Sequence, residues 1–217
     1  MVTKPMLCVL ENIKKQYSRG SAVLGPLSLC IKEGEILGIS GENGTGKSTL
    51  IKLIANVIKP DDGRVIIDKN ARNKVAYIPQ DIALYENLSG IDNLRFWGHL
   101  YGIQKKQLDA RCGWLLEQMN LTQKANELVC SYSGGMKRRL HLATALVQTP
   151  SLLLLDEPTV GSDEQSAELI LDIILNLSKK GCGVVFVSHQ AGELQKICDR
   201  ICCLENGILI NTEEVDF

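Results

Sequence analysis

Aromatic side chains are scarce, at 5% of 217 residues, and no apolar run approaches the roughly 18 residues that a bilayer-crossing helix needs. The opening stretch MVTKPMLCVLEN also lacks the apolar core of a secretion signal. Together these gaps predict a cytoplasmic chain. An excess of either charge is missing too: 24 Lys and Arg stand against 25 Asp and Glu, a formal net charge of -1. A general grip on nucleic acid needs clustered positive charge to displace counterions, so no nucleic-acid partner is expected. The one small basic cluster, Lys137, Arg138 and Arg139, reads as a solvated helix face. The eight cysteines are scattered in a chain without a secretion signal, which predicts reduced, mostly buried thiols rather than disulfides. Cys198, Cys202 and Cys203 form the only cluster, and three thiols across a helix end and a strand fall short of a four-ligand metal site.

What is present is 45% hydrophobic residues in a chain long enough to bury a core. Two rhythms alternate along it. Short, continuous apolar runs at 36–40, 75–79, 152–156 and 184–188 suit strands covered on both faces. Between them, Leu50, Leu53, Ile54 and Val57, and Ala167, Ile170, Leu171 and Ile174, recur at helical spacing. That alternation predicts an α/β fold with a mainly parallel sheet. The first third adds strands at 7–13, 27–31 and 64–67 with turns such as Glu33-Gly34 and Asp61-Asp62-Gly63, predicting a small antiparallel sheet. From 82 to 149 strand signals vanish. Leu94, Trp97, Leu100 and Tyr101, then Leu108, Cys112, Leu115, Leu116 and Met119, predict helices. Glu205-Asn206-Gly207 reads as a hairpin turn. The expectation is one domain over 1–217, with 1–80 and 150–217 as the core and β subdomain and 81–149 as an inserted helical subdomain.

The segment GENGTGKST, Gly41 to Thr49, fits G-x-x-x-x-G-K-[ST] and lies between a strand and a helix. Gly41, Gly44 and Gly46 let backbone N–H groups converge on one anion, with Asn43, Thr45 and Thr49 completing the loop. Lys47 would reach the outer phosphates, and Ser48 would ligate Mg²⁺. LLLLDEPT, from Leu152 to Thr159, ends a buried strand in two acids. Asp156 would meet the same Mg²⁺, and Glu157 would orient or deprotonate an attacking water. Between these motifs lies SYSGGMKRRL. Its Ser133-Gly134-Gly135 is on its own also an ordinary helix cap and turn.

The ordered triple of phosphate loop, Ser-Gly-Gly and two acids resembles the ATP-binding-cassette (ABC) ATPase family, over essentially the whole chain. The resemblance implies that Ser133, Gly134 and Gly135 contact the ATP bound by a second subunit, in a homodimer or heterodimer with two nucleotides at its interface. It implies further that Tyr17 stacks on adenine, that Gln80 senses Mg²⁺ and water, that Asp163 belongs to the D-loop and that His189 contacts the γ-phosphate. His99 and His141 lack such placement and read as structural. Tyr132 and Met136 replace the family's usual Leu and Gln, which looks like the exporter branch for drugs, lipids, polysaccharides or peptide antibiotics. Ser162 replaces a Leu and puts the usual D-loop packing in doubt. The implied function is an ATPase subunit of an ABC transporter that drives a separate membrane permease, lying on the cytoplasmic face of the membrane. The permease would dock near Gln80 and the aromatic-rich stretch 84–103. The alternative is a non-transport ABC ATPase acting on a soluble partner. A small-molecule kinase fails on the Ser-Gly-Gly motif.

Overall fold

The computed structural model describes residues 4–18 and 23–214, of which 211–214 are described in backbone only. Two compact units emerge, each treated by itself. The first comprises residues 1–77, 151–157 and 174–217, and the second residues 78–150 and 158–173. This division departs from the sequence expectation at Ile78, Pro79, Gln80 and Pro150, and most of all at 158–173. Those last residues group with the helical segment because Val160, Gly161, Asp163 and Ser166 meet the start of the helix that begins at Gly134.

In the first unit, β1 (Met6–Lys15) pairs antiparallel with β2 (Leu24–Lys32) and β4 (Asp62–Ile67). A six-stranded sheet runs in the order β5-β6-β7-β3-β8-β9. Its members are β3 (Ile36–Ser40), β5 (Val75–Ile78), β6 (Leu152–Asp156), β7 (Gly183–Val187), β8 (Arg200–Glu205) and β9 (Ile208–Glu214). The pairs β6–β7, β7–β3 and β3–β8 are parallel, and every residue of β6 and β7 is buried. That is why their sequences are unbroken apolar runs rather than alternations. The antiparallel pair β8–β9 closes on Asn206 and Gly207, both at positive φ, as the hairpin signal predicts. Helix α1 (Lys47–Ile54) seals the same core: Leu50, Ile51, Leu53 and Ile54 pack with Leu10, Ile13 and Ile31 of the small sheet and Leu37 and Ile39 of β3. Val57, expected on that apolar face, is exposed, because the helix ends at Ala55 and Asn56 turns left-handed.

The second unit is built on α2 (Gly90–Leu100), α3 (Lys105–Gln118), α4 (Gly134–Leu146) and the first part of α5 (Glu164–Lys179). The five apolar residues expected along α3 are all buried. On α2, Leu94 is buried but Leu100 is 63% exposed, so the apolar face is shorter than its spacing suggests. Lys137, Arg138 and Arg139 are no plain solvated face. Lys137 pairs with Glu86, Arg138 donates to the carbonyls of Gln80 and Val160, and Arg139 donates to that of Met119. A last helix, α6 (Ala191–Ile197), lies in the first unit. All eight cysteines are free thiols, five of them buried. Burial pushes the Cys198 thiol up to about 12.

Candidate active site

β3 delivers the chain to the phosphate loop. Gly41 sits at φ +143, where a Cβ would stand 2.4 Å from the Leu204 carbonyl oxygen of β8, so no larger residue fits. The loop then folds back on itself, with the Thr45 amide and hydroxyl donating to the Glu42 carbonyl at 3.4 and 2.9 Å. Asn43 and Gly44 lie exposed at its crest. Gly46 caps α1 in a left-handed conformation, and among the described residues the helix start has no side-chain cap. The first helical amides and the positive end of the helix dipole are what an anion needs. Lys47, 7% exposed, donates from Nζ to the carbonyls of Gly41 and Glu42 at 2.7 and 2.8 Å. Weak backbone acceptors thus hold its ammonium across the loop, and a phosphate would be the stronger acceptor. Tyr17, exposed just past β1, has its hydroxyl 3.3 Å from Thr49 Oγ1, which sets its ring beside the first turn of α1.

Two acids stand at the end of β6. Ser48 hydrogen-bonds to Asp156, and burial, reinforced by the Glu157 charge, pushes the Asp156 carboxyl above its ordinary range against the pull of Ser48, Lys52 and Lys47. A buried carboxylate in that state gains from a cation. The donor set, a hydroxyl and a carboxylate oxygen, is the hard-oxygen chemistry that Mg²⁺ takes, so the residues fit the metal. Glu157 is nearly buried and adopts φ +53, its amide donating to the Val187 carbonyl at 3.0 Å. Its Oε2 lies 2.5 Å from His189 Nδ1. The geometry follows from topology: β6, β7 and β3 are neighbours and parallel, and their carboxyl ends carry Asp156 and Glu157, His189, and the phosphate loop respectively.

The remaining residues singled out in the sequence lie in the second unit. Gln80 is exposed two residues past β5, its carbonyl held by Arg138. Ser133 caps α4, its Oγ accepting from the Met136 amide at 3.3 Å. A Cβ on Gly135 would stand 2.2 Å from Asp163 Oδ2 and 2.4 Å from Ser166 Oγ, so only glycine permits this approach. Asp163 caps α5, accepting from the Ser166 amide at 2.9 Å and its hydroxyl at 2.8 Å. The Ser166 bonds, the amide first, hold the Asp163 carboxyl below the usual range. The structure therefore unites Ser133, Gly134, Gly135 and Asp163 in one corner. The Ser162 hydroxyl beside them is buried without a partner among the described residues. Tyr132 is buried, and its hydroxyl donates to the Lys124 carbonyl at 2.6 Å.

Sequence reasoning missed the contacts of Arg138 and Ser166, and it read His141 as structural without its backbone partner. For Ser166 the signal existed, since a Ser three residues past an Asp at a helix start is capping spacing. Arg138 and His141 gave none, because their partners are backbone atoms of segments about 20 and 58 residues away.

Fold and loop together define a nucleotide-binding protein of the P-loop α/β class. A family profile described as ABC transporter matches residues 24–160, and the chain belongs to that family. It is 40% identical over 208 residues to the linearmycin resistance ATP-binding protein of Bacillus subtilis, covering 92% of this chain and 67% of that protein. It is 34% identical over 206 residues to the Nod factor export ATP-binding protein I of Sinorhizobium fredii, covering 91% and 60%. The chain thus spans about two thirds of the length of the curated relatives it matches. An ATP-binding cassette solved as a dimer in a post-hydrolysis state with ADP and Pi superposes with a TM-score of 0.87 at 27% identity, covering 97% of this chain and 100% of that one.

Proposed function

We propose that this chain is the ATP-hydrolysing subunit of an ABC exporter, working as a dimer with two nucleotides at its interface and driving a separate membrane permease. The observation that carries it is the Glu157–His189 pair, 2.5 Å apart at the ends of two neighbouring strands, beside the strand that feeds the phosphate loop. The resistance and export functions named for its relatives supply the direction.

The loop amides and Lys47 bind the phosphates, and Tyr17 offers a ring for the adenine. Ser48 and Asp156 would hold Mg²⁺, with Gln80 assigned to the same ion by family resemblance alone. The metal, when bound, neutralises charge on the phosphate oxygens. Glu157 orients the attacking water and accepts its proton as the new P–O bond forms and the bond to ADP breaks. His189 fixes the Glu157 carboxylate and presents its own half-exposed ring to the γ-phosphate. Ser133, Gly134, Gly135 and Asp163 serve the partner's nucleotide.

Among the described residues no helix is long and apolar enough to cross a membrane. In the proposed reading the chain sits peripherally on its permease. Tyr85, Phe96, Trp97 and Tyr101 form a chain of ring contacts with centroids 4.6, 5.8 and 6.3 Å apart, and Tyr85 and Tyr101 are exposed. That surface suits docking.

The test pairs ATP turnover with recovery from native membranes. Lys47→Ala should lower turnover about 10²-fold or more, since it removes the charge facing the reacting phosphate. Tagged wild-type chain should recover an integral membrane protein. Unchanged turnover in Lys47→Ala overturns the active site, and recovery of only soluble partners overturns the transporter reading.

A further inference from the structure

The segment from Pro79 to Leu88 has no regular secondary structure, so its backbone polar groups need partners from elsewhere. Backbone groups answer those of Glu86 and Leu88, and side chains of two helices of the same unit answer those of Gln80, Ala83 and Tyr85. Arg138 donates to the Gln80 carbonyl, and Nε2 of His141 accepts the Ala83 amide at 3.3 Å. From α2, the fully buried Asn93 takes both backbone groups of Tyr85, at 2.9 and 3.0 Å. Arg138 and His141 are one turn apart on α4, the helix that Ser133 caps. Arg138 also donates from Nε to the Val160 carbonyl at 2.9 Å, three residues before Asp163.

His141 is the telling member. It is 3% exposed, and its other ring nitrogen, Nδ1, has no partner among the described residues. Accepting the Ala83 amide at Nε2 places the ring proton on Nδ1, where it is buried and unanswered. That arrangement costs stability relative to an apolar side chain of similar size. A helix position serving only to fill space would be better occupied by leucine. The imidazole is accounted for by the one bond it makes.

We propose that Arg138 and His141 are positioning residues that clamp the Gln80–Ala83 backbone to the helix beginning at Ser133, so that the Gln80 side chain and the Ser-Gly-Gly corner move as one body. The clamp grips main-chain atoms only and leaves the exposed Gln80 side chain free to act. For its effect on turnover the proposal rests on the function proposed above; for the clamp itself it does not.

The experiment measures amide hydrogen exchange together with ATP turnover. In His141→Leu, the Ala83 amide should exchange at least about tenfold faster while the Tyr85 amide, held by Asn93, keeps its protection. Turnover at saturating ATP should fall about fivefold or more, with nucleotide affinity within about twofold, because the phosphate loop is untouched. His141→Gln, whose amide oxygen can accept the same N–H, should restore both readouts. Should His141→Leu fail to fold, Arg138→Met is read at the same amides and should also slow turnover with affinity unchanged. Unchanged Ala83 exchange, or a Gln variant as impaired as the Leu variant, overturns the clamp. A turnover loss explained wholly by the unfolded fraction overturns it as well. If wild-type turnover proves independent of Lys47, the proposed function has failed, and Ala83 exchange still decides the clamp.

Discussion

A single buried imidazole should contribute measurably to how this protein responds to acid. Burial, with the Arg138 charge second, lowers the His141 pKa from 6.5 to about 4. Between those values the unfolded chain binds a proton that the folded chain refuses, so stability is fully present above pH 6.5 and is lost as pH falls toward 4. From pH 7 to pH 5 this one group should remove about 2 kcal/mol. Urea unfolding of wild type and His141→Leu at both values checks it: wild type should lose about that much more than the variant. Residues of this kind escaped the sequence. The placement of Lys47, Ser48, Asp156 and Glu157 was legible because the motifs that carry them have fixed spacing around a strand end. His141 and Arg138 were not, because nothing in the local pattern announces a backbone carbonyl or amide donated by a distant segment. Arg139 went the same way, reading as solvated charge while in fact bonding to the Met119 carbonyl.

Helices and strands differ in how plainly the sequence declares them. Buried parallel strands such as β6 declare themselves by unbroken leucine, and α3 by five apolar residues at regular spacing. The end of α1 did not, since Val57 continues the apolar rhythm past a point where Asn56 has already left the helix. Glycine inside helices makes the contrast testable. Gly135, in the first turn of α4, has Asp163 and Ser166 where a methyl would go. Gly113, in the middle of α3, has nothing within 4 Å. Gly135→Ala should therefore cost about 1–3 kcal/mol by forcing the α5 cap aside. Gly113→Ala should gain about 0.5–1 kcal/mol from helix propensity alone. Equal shifts of the same sign in chemical denaturation would contradict the close approach at Gly135.

For the molecule as a whole, the paired cassette is the decisive claim. Glu157→Gln removes the proposed proton acceptor yet keeps a side chain that can still face His189. Hydrolysis should fall about 10²- to 10⁴-fold with ATP binding retained. Trapped ATP should then hold two chains together, so gel filtration with ATP should show a dimer that disappears when Ser133 or Gly135 is also changed. A strictly monomeric ATP-bound variant at high concentration would refute the shared site. The division of the chain into two units was only partly visible beforehand. The helices of the insertion are written in its periodicity from Leu94 onward, whereas residues 158–173 follow the acids of β6 without a break in composition and join the helical unit through tertiary contacts alone.

Glu157, the proposed water-activating residue, adopts a left-handed backbone conformation that glycine adopts freely and glutamate does not. The carboxylate to which the proposed mechanism gives catalysis thus occupies a position where folding alone would favour a different residue. Directed evolution for heat tolerance, run without an activity readout, would drift there toward glycine and yield robust protein that turns over nothing. The glutamate persists only under selection for work done.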